Sequence, residues 1–237
     1  MSDQSHLRAA LASIPLSGEH PCPYLDGLSA CDQAFYWDPG QGKMSGTFYQ
    51  DLMDHRFRRS GRVFYRPRCG TCDACTPIRM DTRAFTPSDS QRRVQRRNAD
   101  VRVRWATPRL DSEKLDLYRR YVTERHGRDD PNPDSVEEFL YDSPTETVEA
   151  VYRLEDRLIG VGICDVTPVA LSTVYFYFDP AEARRSLGVF SSLVEIETAK
   201  RLDLRFYYLG YWVPGSRKME YKARLGPHEL LGINGWA

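Results

Sequence analysis

An α+β fold with a mixed sheet and helices in its second half, and a smaller cysteine-containing N-terminal region packed on it, is the fold class this sequence predicts. Three observations predict it. From Thr147 to Phe178, three runs rich in β-branched and aromatic residues follow one another with only short breaks. A long stretch with apolar residues at helical spacing, Leu187 to Leu202, then leads to another β-prone run, Arg205 to Trp212. Ahead of residue 106 the chain is instead dense in Arg and Cys, with short and irregular patterning. The order hairpin, strand, helix, strand, helix builds a mixed sheet. Two regions follow: residues 1–105, rich in Cys and Arg, and residues 106–237, the sheet-forming domain.

Each element has a local reason. Residues 1 to about 45 carry Gly, Pro, Asp and Ser with scattered aromatics and read as irregular structure. Thr47 to Phe57 reads as a short helix with Phe48, Leu52 and His55 or Phe57 on one side. Val63 to Arg66 is a short strand before the cysteine loop. Asp89 to Asn98 is helical, and Val101 to Trp105 alternates apolar and charged residues as a half-buried strand does. A helix from Ser112 to His126 turns Leu115, Tyr118 and Val122 inward, and Gly127 stops it. Ser135 caps a short helix, with Glu138 three residues on. Thr147 to Leu154 and Leu158 to Val166 are strands joined at Glu155–Arg157, and Leu171 to Phe178 is a third. The long helix presents Phe190, Leu193, Val194, Ile196 and Leu202, and Ser216 to Leu225 forms a last short helix.

The chain has 33 Lys+Arg and 33 Asp+Glu, a net charge of zero. Its 41% hydrophobic content excludes wholesale disorder. The apolar runs Leu158–Cys164 and Val174–Phe178 are far short of a membrane span. No basic start with an apolar stretch behind it opens the chain, so a cytoplasmic location without membrane partners is expected. The zero conceals a separation. Arg56 to Arg104 holds 14 Arg against four acids, a local +10, which leaves −10 elsewhere. Guanidinium forks match phosphate oxygens, so this stretch reads equally as a polyanion contact or as a solvated, ion-paired face.

Cys69, Cys72 and Cys75 are spaced C-x2-C-x2-C, and Cys22 stands earlier in HPCPYL. Two-residue gaps let thiolates converge, and a fourth ligand from Cys22 would complete a zinc or an iron–sulfur site. The alternatives are reduced structural thiols or a redox-active pair. Cys164 lies in an apolar run and is assigned to the core.

The element order of the second half resembles the core of the GNAT (N-acetyltransferase) superfamily. Arg184–Gly188 stands where that fold aims a helix N-terminus at an anionic group. Five motifs are more specific: HPCPYL, FRRSGRVFYRPRCGTCDACTPIRM, SQRRVQRRNAD, YFYFDPAEARRSLGVFS and YLGYWVPGSRKMEYKARLGP. In this order they resemble the bacterial aminoacyl-tRNA–protein transferases, the arginyl and leucyl transferases of the N-degron pathway. That resemblance implies an enzyme that moves leucine, or arginine, from aminoacyl-tRNA to the α-amino group of proteins beginning with Asp or Glu, marking them for degradation. Strand order alone also fits a CoA-dependent acetyltransferase. The cysteines and the Arg segment alone also fit a non-catalytic metal or RNA-binding module.

Aminolysis of an ester by an amine is downhill, so positioning supplies most of the catalysis and no cofactor is required for the chemistry. Asp179 and Tyr177, at a strand end, are candidates to orient the amine. The acceptor carboxylate calls for Arg79, Gln91, Arg93 or Arg185. Arg92, Arg96, Arg97, Lys218 and Lys222 are candidates for tRNA phosphates. Tyr211, Trp212 and Met219 are assigned to a pocket for the leucyl side chain.

Overall fold

The computed structural model describes residues 2–237. Helix α1 (Ser2–Ala12) leads to a small ribbon of β1 (His20–Pro21) and β2 (Ser29–Ala30). Next come β3 (Asp32–Tyr36), α2 (Gly46–Asp54), β4 (Arg58–Ser60) and β5 (Val63–Pro67); these three strands form a separate antiparallel sheet in the order β3-β5-β4. Strand β6 (Thr76–Asp81), helix α3 (Asp89–Arg97), strand β7 (Val101–Ala106) and helix α4 (Ser112–Arg120) follow. Helix α4 runs on as a π-helical turn, Tyr121–Arg125. Helix α5 (Pro133–Val136) likewise continues as a π turn to Tyr141. The second half is β8 (Thr147–Leu154), β9 (Arg157–Val166), β10 (Ala170–Phe178), α6 (Leu187–Arg201), β11 (Phe206–Trp212), β12 (Glu229–Gly232) and β13 (Gly235–Trp236).

The main sheet has eight strands in the order β13-β12-β6-β11-β10-β9-β8-β7. Among the described residues only β10 and β11 are parallel neighbours, and α6 is their crossover. The α+β plan and the GNAT-like order of antiparallel strands followed by helix and parallel strand are therefore present. Strands β6 and β7 enter this sheet from before residue 106, so the 105/106 boundary does not separate two sheets. Sequence patterning missed β6, whose Pro77 and flanking cysteines hide a strand lying between β11 and β12. It also missed α1, β3 and the terminal hairpin.

Local chemistry explains the boundaries. Ser45 caps α2 by accepting from Phe48 N, and the buried face is Tyr49, Leu52 and Met53 rather than one carrying Phe48. The helix stops before Phe57 because Arg56 takes φ +73°, which sends Phe57 into the core from a loop. Ser88 and Gln91 close a capping box at α3. Asn132, not Ser135, caps α5, because Pro133 sits in its first turn. Leu202 is 59% exposed, since it is the C-cap of α6 and not part of its buried face. The segment Ser216–Leu225 is turns with a 3-10 stretch, Glu220–Arg224. Cys164 is fully buried in the core, as its apolar run indicated.

One buried ion pair fastens the small sheet to the large one. Arg59 of β4 donates from Nε and Nη2 to the two Asp165 oxygens of β9 at 2.6 Å each, and both side chains are wholly enclosed. Thr147 of β8 donates to the same carboxylate at 2.7 Å. No described helix is long and apolar enough to cross a membrane.

Candidate active site

The site begins as a fault in the sheet. Strands β10 and β11 pair only from Ala170↔Phe206 to Ser172↔Tyr208. Beyond that, β10 shifts register against β9 between Thr173 and Tyr175, and β11 shifts against β6 between Tyr208 and Tyr211. Gly210 takes φ +78° at this second irregularity, a conformation that suits glycine. The strands therefore part, and a cleft of about 1070 Å³ opens over the gap.

The cleft floor is Ser172–Phe176 of β10 and Leu209–Tyr211 of β11. Tyr121, Arg125 and His126 close one side, at the end of the α4 π turn. Gly188, Ser191 and Ser192 bring the first turns of α6 to another. Arg58 and Tyr65 face them from the small sheet, and Arg217 to Lys222 form the remaining wall. The same sheet fault thus gathers residues from stretches all along the chain, Ser17 to Lys222.

The cleft is cationic. Arg58, Arg125, Arg217, Lys218 and Lys222 line it, while Arg59 is neutralised by Asp165. Of the lining residues, the only carboxylate is Asp32, which already holds His20 at 3.1 Å. Arg58 is 6% exposed, yet it pairs with no acid among the described residues. It donates to Phe57 O at 2.8 Å and Gly210 O at 3.2 Å, and its Nε has no partner. Its guanidinium lies 5.5 Å and 5.6 Å from the ring centres of Tyr208 and Tyr211. Lys222 is also buried, and its Nζ donates to Tyr211 O at 2.9 Å. Burial, with the Arg58 charge added, pushes this amine down to about 7.

Behind the α6 wall lies Glu195, fully buried. It accepts from Ser191 at 3.0 Å and from Tyr207 at 2.6 Å. Desolvation raises its carboxyl above the ordinary range despite those donors. Gly162 of β9 passes so close that a β-carbon there would stand 3.3 Å from Glu195 Oε1. Neither residue stands out in the sequence, where Glu195 looks like an exposed helical acid.

The sequence-predicted residues divide. Tyr211, Met219, Lys218 and Lys222 line the cleft. Trp212 does not, because strand parity turns it to the opposite face of the sheet, where it packs on the core. Lys222 is enclosed in the cleft wall rather than offered to an open phosphate surface. Asp179 is 3% exposed and away from the cleft. Its Oδ1 accepts from Arg120 at 2.9 Å and from Ala181 N, and its Oδ2 from Arg157 at 2.6 Å. Those contacts tie α4, β9 and the start of the 3-10 turn before α6, which is an anchoring role. Replacing Asp179 with Asn is accordingly expected to cost about 1–3 kcal/mol of stability and to lower Tm by roughly 2–10 °C. At a permissive temperature kcat should stay within a few-fold of wild type; a hundredfold loss of kcat in a folded variant would return Asp179 to the chemistry. Tyr177 is fully buried, and its hydroxyl shares a 2.7 Å hydrogen bond with Tyr141. Burial raises it far above its ordinary value, so it stays protonated.

Arg79 is sandwiched between Phe206 and Trp236, with its guanidinium carbon 3.7 Å and 4.2 Å from the ring centres. Its Nε pairs with Glu229 at 2.7 Å and its Nη1 with Tyr208 at 3.0 Å, which braces β6 between its neighbours. Gln91 is spent on its capping box and on Leu225 O at 2.7 Å. Arg185 is engaged by Asp100 and Glu182, Arg92 by Asp89, and Arg97 by Arg184 O. Arg93 and Arg96 stand exposed on α3. The cleft residues missed in the sequence are Arg58, Tyr65, Tyr121, Arg125 and Arg217. For Arg58, Tyr65 and Arg217 the signal was a position inside a quoted motif; the other two carried none.

Cys22, Cys69, Cys72 and Cys75 line one pocket of about 50 Å³. Burial, then the other three cysteines, raise the Cys75 thiol to about 12. Among the described residues, however, no three His, Cys, Asp or Glu side chains are arranged to hold one ion. The side chains as placed do not fit a bound metal or cluster.

A mixed sheet that parts beside its single parallel pair, with a helix N-terminus at the gap, is a GNAT-like arrangement of elements. The family description "Arginine-tRNA-protein transferase, N terminus" matches residues 20–93, and its C-terminus counterpart matches residues 113–232. The chain belongs to the arginine-tRNA-protein transferase family and is an aminoacyltransferase. It is 42% identical over 220 residues to the aspartate/glutamate leucyltransferase of Pseudomonas putida strain W619, covering 92% of both chains. It is 37% identical over 221 residues to that of Hahella chejuensis, covering 92% of this chain and 93% of the relative. A solved GCN5-related N-acetyltransferase from Kribbella flavida superposes with a TM-score of 0.39 at 10% identity, covering 64% of this chain and 53% of the other. Family membership displaces the acetyltransferase and the non-catalytic readings.

Proposed function

We propose that this enzyme transfers leucine from leucyl-tRNA to the α-amino group of proteins beginning with Asp or Glu. The observation that carries this reading is the cleft itself: a buried guanidinium without an acidic partner, Arg58, and exposed cations beside it, interleaved with aromatic rings, at a gap in the sheet. Unpaired buried cations call for an anionic ligand. The acceptor's first side chain supplies one carboxylate, and Arg58, with its unpartnered Nε, is assigned to hold it. Aromatic faces such as Tyr65, Tyr121 and Tyr221 suit the terminal base and ribose of a tRNA 3′ end. Lys218 and Arg217 at the cleft, with Arg93 and Arg96 on α3, are assigned to its phosphates. Tyr211 and Met219 supply apolar surface for the leucyl side chain.

Charge also supports leucine over arginine. An arginyl side chain entering the cleft would meet the cations Arg58, Arg125, Arg217 and Lys218 and one carboxylate that is already engaged. The new N-terminal leucine would then serve as a degradation mark. The test incubates the purified protein with leucyl-tRNA or arginyl-tRNA and peptides starting with Asp, Glu, Lys or Ala. Leucine should appear on the Asp and Glu peptides. Absence of labelling of either by both donors would overturn the function, and preference for arginyl-tRNA would overturn the donor.

A further inference from the structure

We propose that Lys222 is the group that takes the proton from the incoming α-ammonium group and so generates the nucleophile. The inference rests on the aminoacyl transfer proposed above. Its first support is position: the side chain is buried, yet it forms part of the cleft wall beside the parted strands. Its second is coordination. Among the described residues its one hydrogen-bond partner is Tyr211 O at 2.9 Å, and no carboxylate pairs with it. An ammonium held this way leaves two N–H groups unpaired out of water, a costly state. A neutral amine gives one hydrogen to Tyr211 O and keeps a lone pair free to accept.

The charge that bears on Lys222 comes from Arg58 of β4 and opposes protonation. Tyr65 of β5 and Tyr211 of β11 stand in the same cleft, and burial keeps both hydroxyls protonated. Of its own segment, Lys218 lies exposed in the cleft wall and Glu220 is engaged by Gly215 N at 2.8 Å. No neighbouring group therefore holds the amine in its charged form, and at neutral pH a substantial fraction is free to act as a base.

The step balances. Neutral Lys222 takes one proton from the α-ammonium group. The freed amine attacks the leucyl ester carbonyl, and a C–N bond forms as the ribosyl C–O bond breaks. The nitrogen passes a second proton to the departing ribose oxygen and keeps its third as the amide N–H. Lys222 then releases its proton to water.

The test is the pH dependence of kcat/KM for an Asp-start peptide with leucyl-tRNA. A free α-amino group titrates near 8, so at pH 7 only about a tenth of it is neutral. Wild-type rates should rise with a midpoint near 7. Lys222→Met and Lys222→Arg, which cannot deprotonate usefully, should both be about fivefold slower at pH 7, where wild type is itself half-maximal, and within about twofold of wild type at pH 9, where the acceptor amine is neutral by itself. A merely structural lysine would give a loss that does not change with pH, and Lys222→Arg would rescue it. Either result overturns the proposal, as does a wild-type midpoint that follows the acceptor's own amine, which decides the matter even if both variants fail to fold. Absence of any wild-type labelling would instead overturn the function on which this rests.

Discussion

Replacing Arg58 with methionine is expected to lower kcat/KM for an Asp-start peptide by roughly thirty- to a thousandfold. That range corresponds to about 2–4 kcal/mol for removing one partner of a buried, charge-assisted pair. Arg58 is placed for that pair: it lines the cleft, is 6% exposed, has no acidic partner among the described residues, and its buried Nε is unsatisfied. The diagnostic readout is discrimination rather than rate. Wild type should prefer an Asp-start peptide strongly over its Asn-start counterpart, and Arg58→Met should bring that ratio near one. Arg58→Lys should lie between, because it keeps the charge and loses the fork. Arg58 also holds Gly210 O at 3.2 Å, so some loss of stability will accompany the change. Melting curves separate the two effects. If Arg58→Met slows both peptides equally and the Asp/Asn ratio survives, the carboxylate is held elsewhere.

The second large effect is on folding. Asp165→Ala should destabilise the protein by about 3–5 kcal/mol, since it leaves the wholly enclosed Arg59 guanidinium without its partner. For a chain of this length that is a fall in Tm of roughly 6–20 °C. The double change Arg59→Met with Asp165→Leu should recover most of the loss, because apolar side chains of similar volume avoid the desolvation cost that the ion pair carries. The measurement is a thermal or denaturant melt of the two single variants and the double. Additive losses would show that the pair is not one energetic unit. The pair joins β4 of the small sheet to β9 of the large one, and Arg58 neighbours Arg59 in sequence. Loosening that joint should therefore also weaken catalysis.

These two residues illustrate what could be read in advance. FRRSGR stood out as a basic motif, and adjacent residues of a strand point to opposite sides. Sequence alone does not say which side is the cleft. Arg58 turns to the parted strands and stays unpaired, while Arg59 turns to Asp165 and is neutralised. The charge run from Arg56 to Arg104 divides in the same way. Arg62, Arg79 and Arg92 are each held by an acid, and Arg66 by Gln33 and backbone oxygens, whereas Arg93 and Arg96 stay exposed. A count of +10 therefore overstates the cation available to a polyanion.

Elements with strong local signals were legible: the three strands after Thr147, the long helix, β7 with its alternation, and α3 with its cap. Their hydrophobic period or capping chemistry acts over a few residues, so it is written in contiguous sequence. Strand β6 was not legible, because its place between β11 and β12 is chosen by partners far along the chain. Asp179 shows the same limit at the site. An acid before Pro180 at a strand end could face a cleft or a pair of guanidiniums, and only the approach of Arg120 and Arg157 decides for the latter.

By itself, then, the amino-acid sequence determined the order of elements in the second half, the separation of charge behind a net zero, and through five ordered motifs the family. These are local or cumulative properties, which survive without knowing what touches what. The tertiary structure alone decided where β10 and β11 part, which cations enter that gap without a counter-charge, and that Lys222 is enclosed there with a single carbonyl for company. The physical reason is that burial and ion pairing are properties of neighbours, and in this cleft the neighbours come from stretches spread between Ser17 and Lys222.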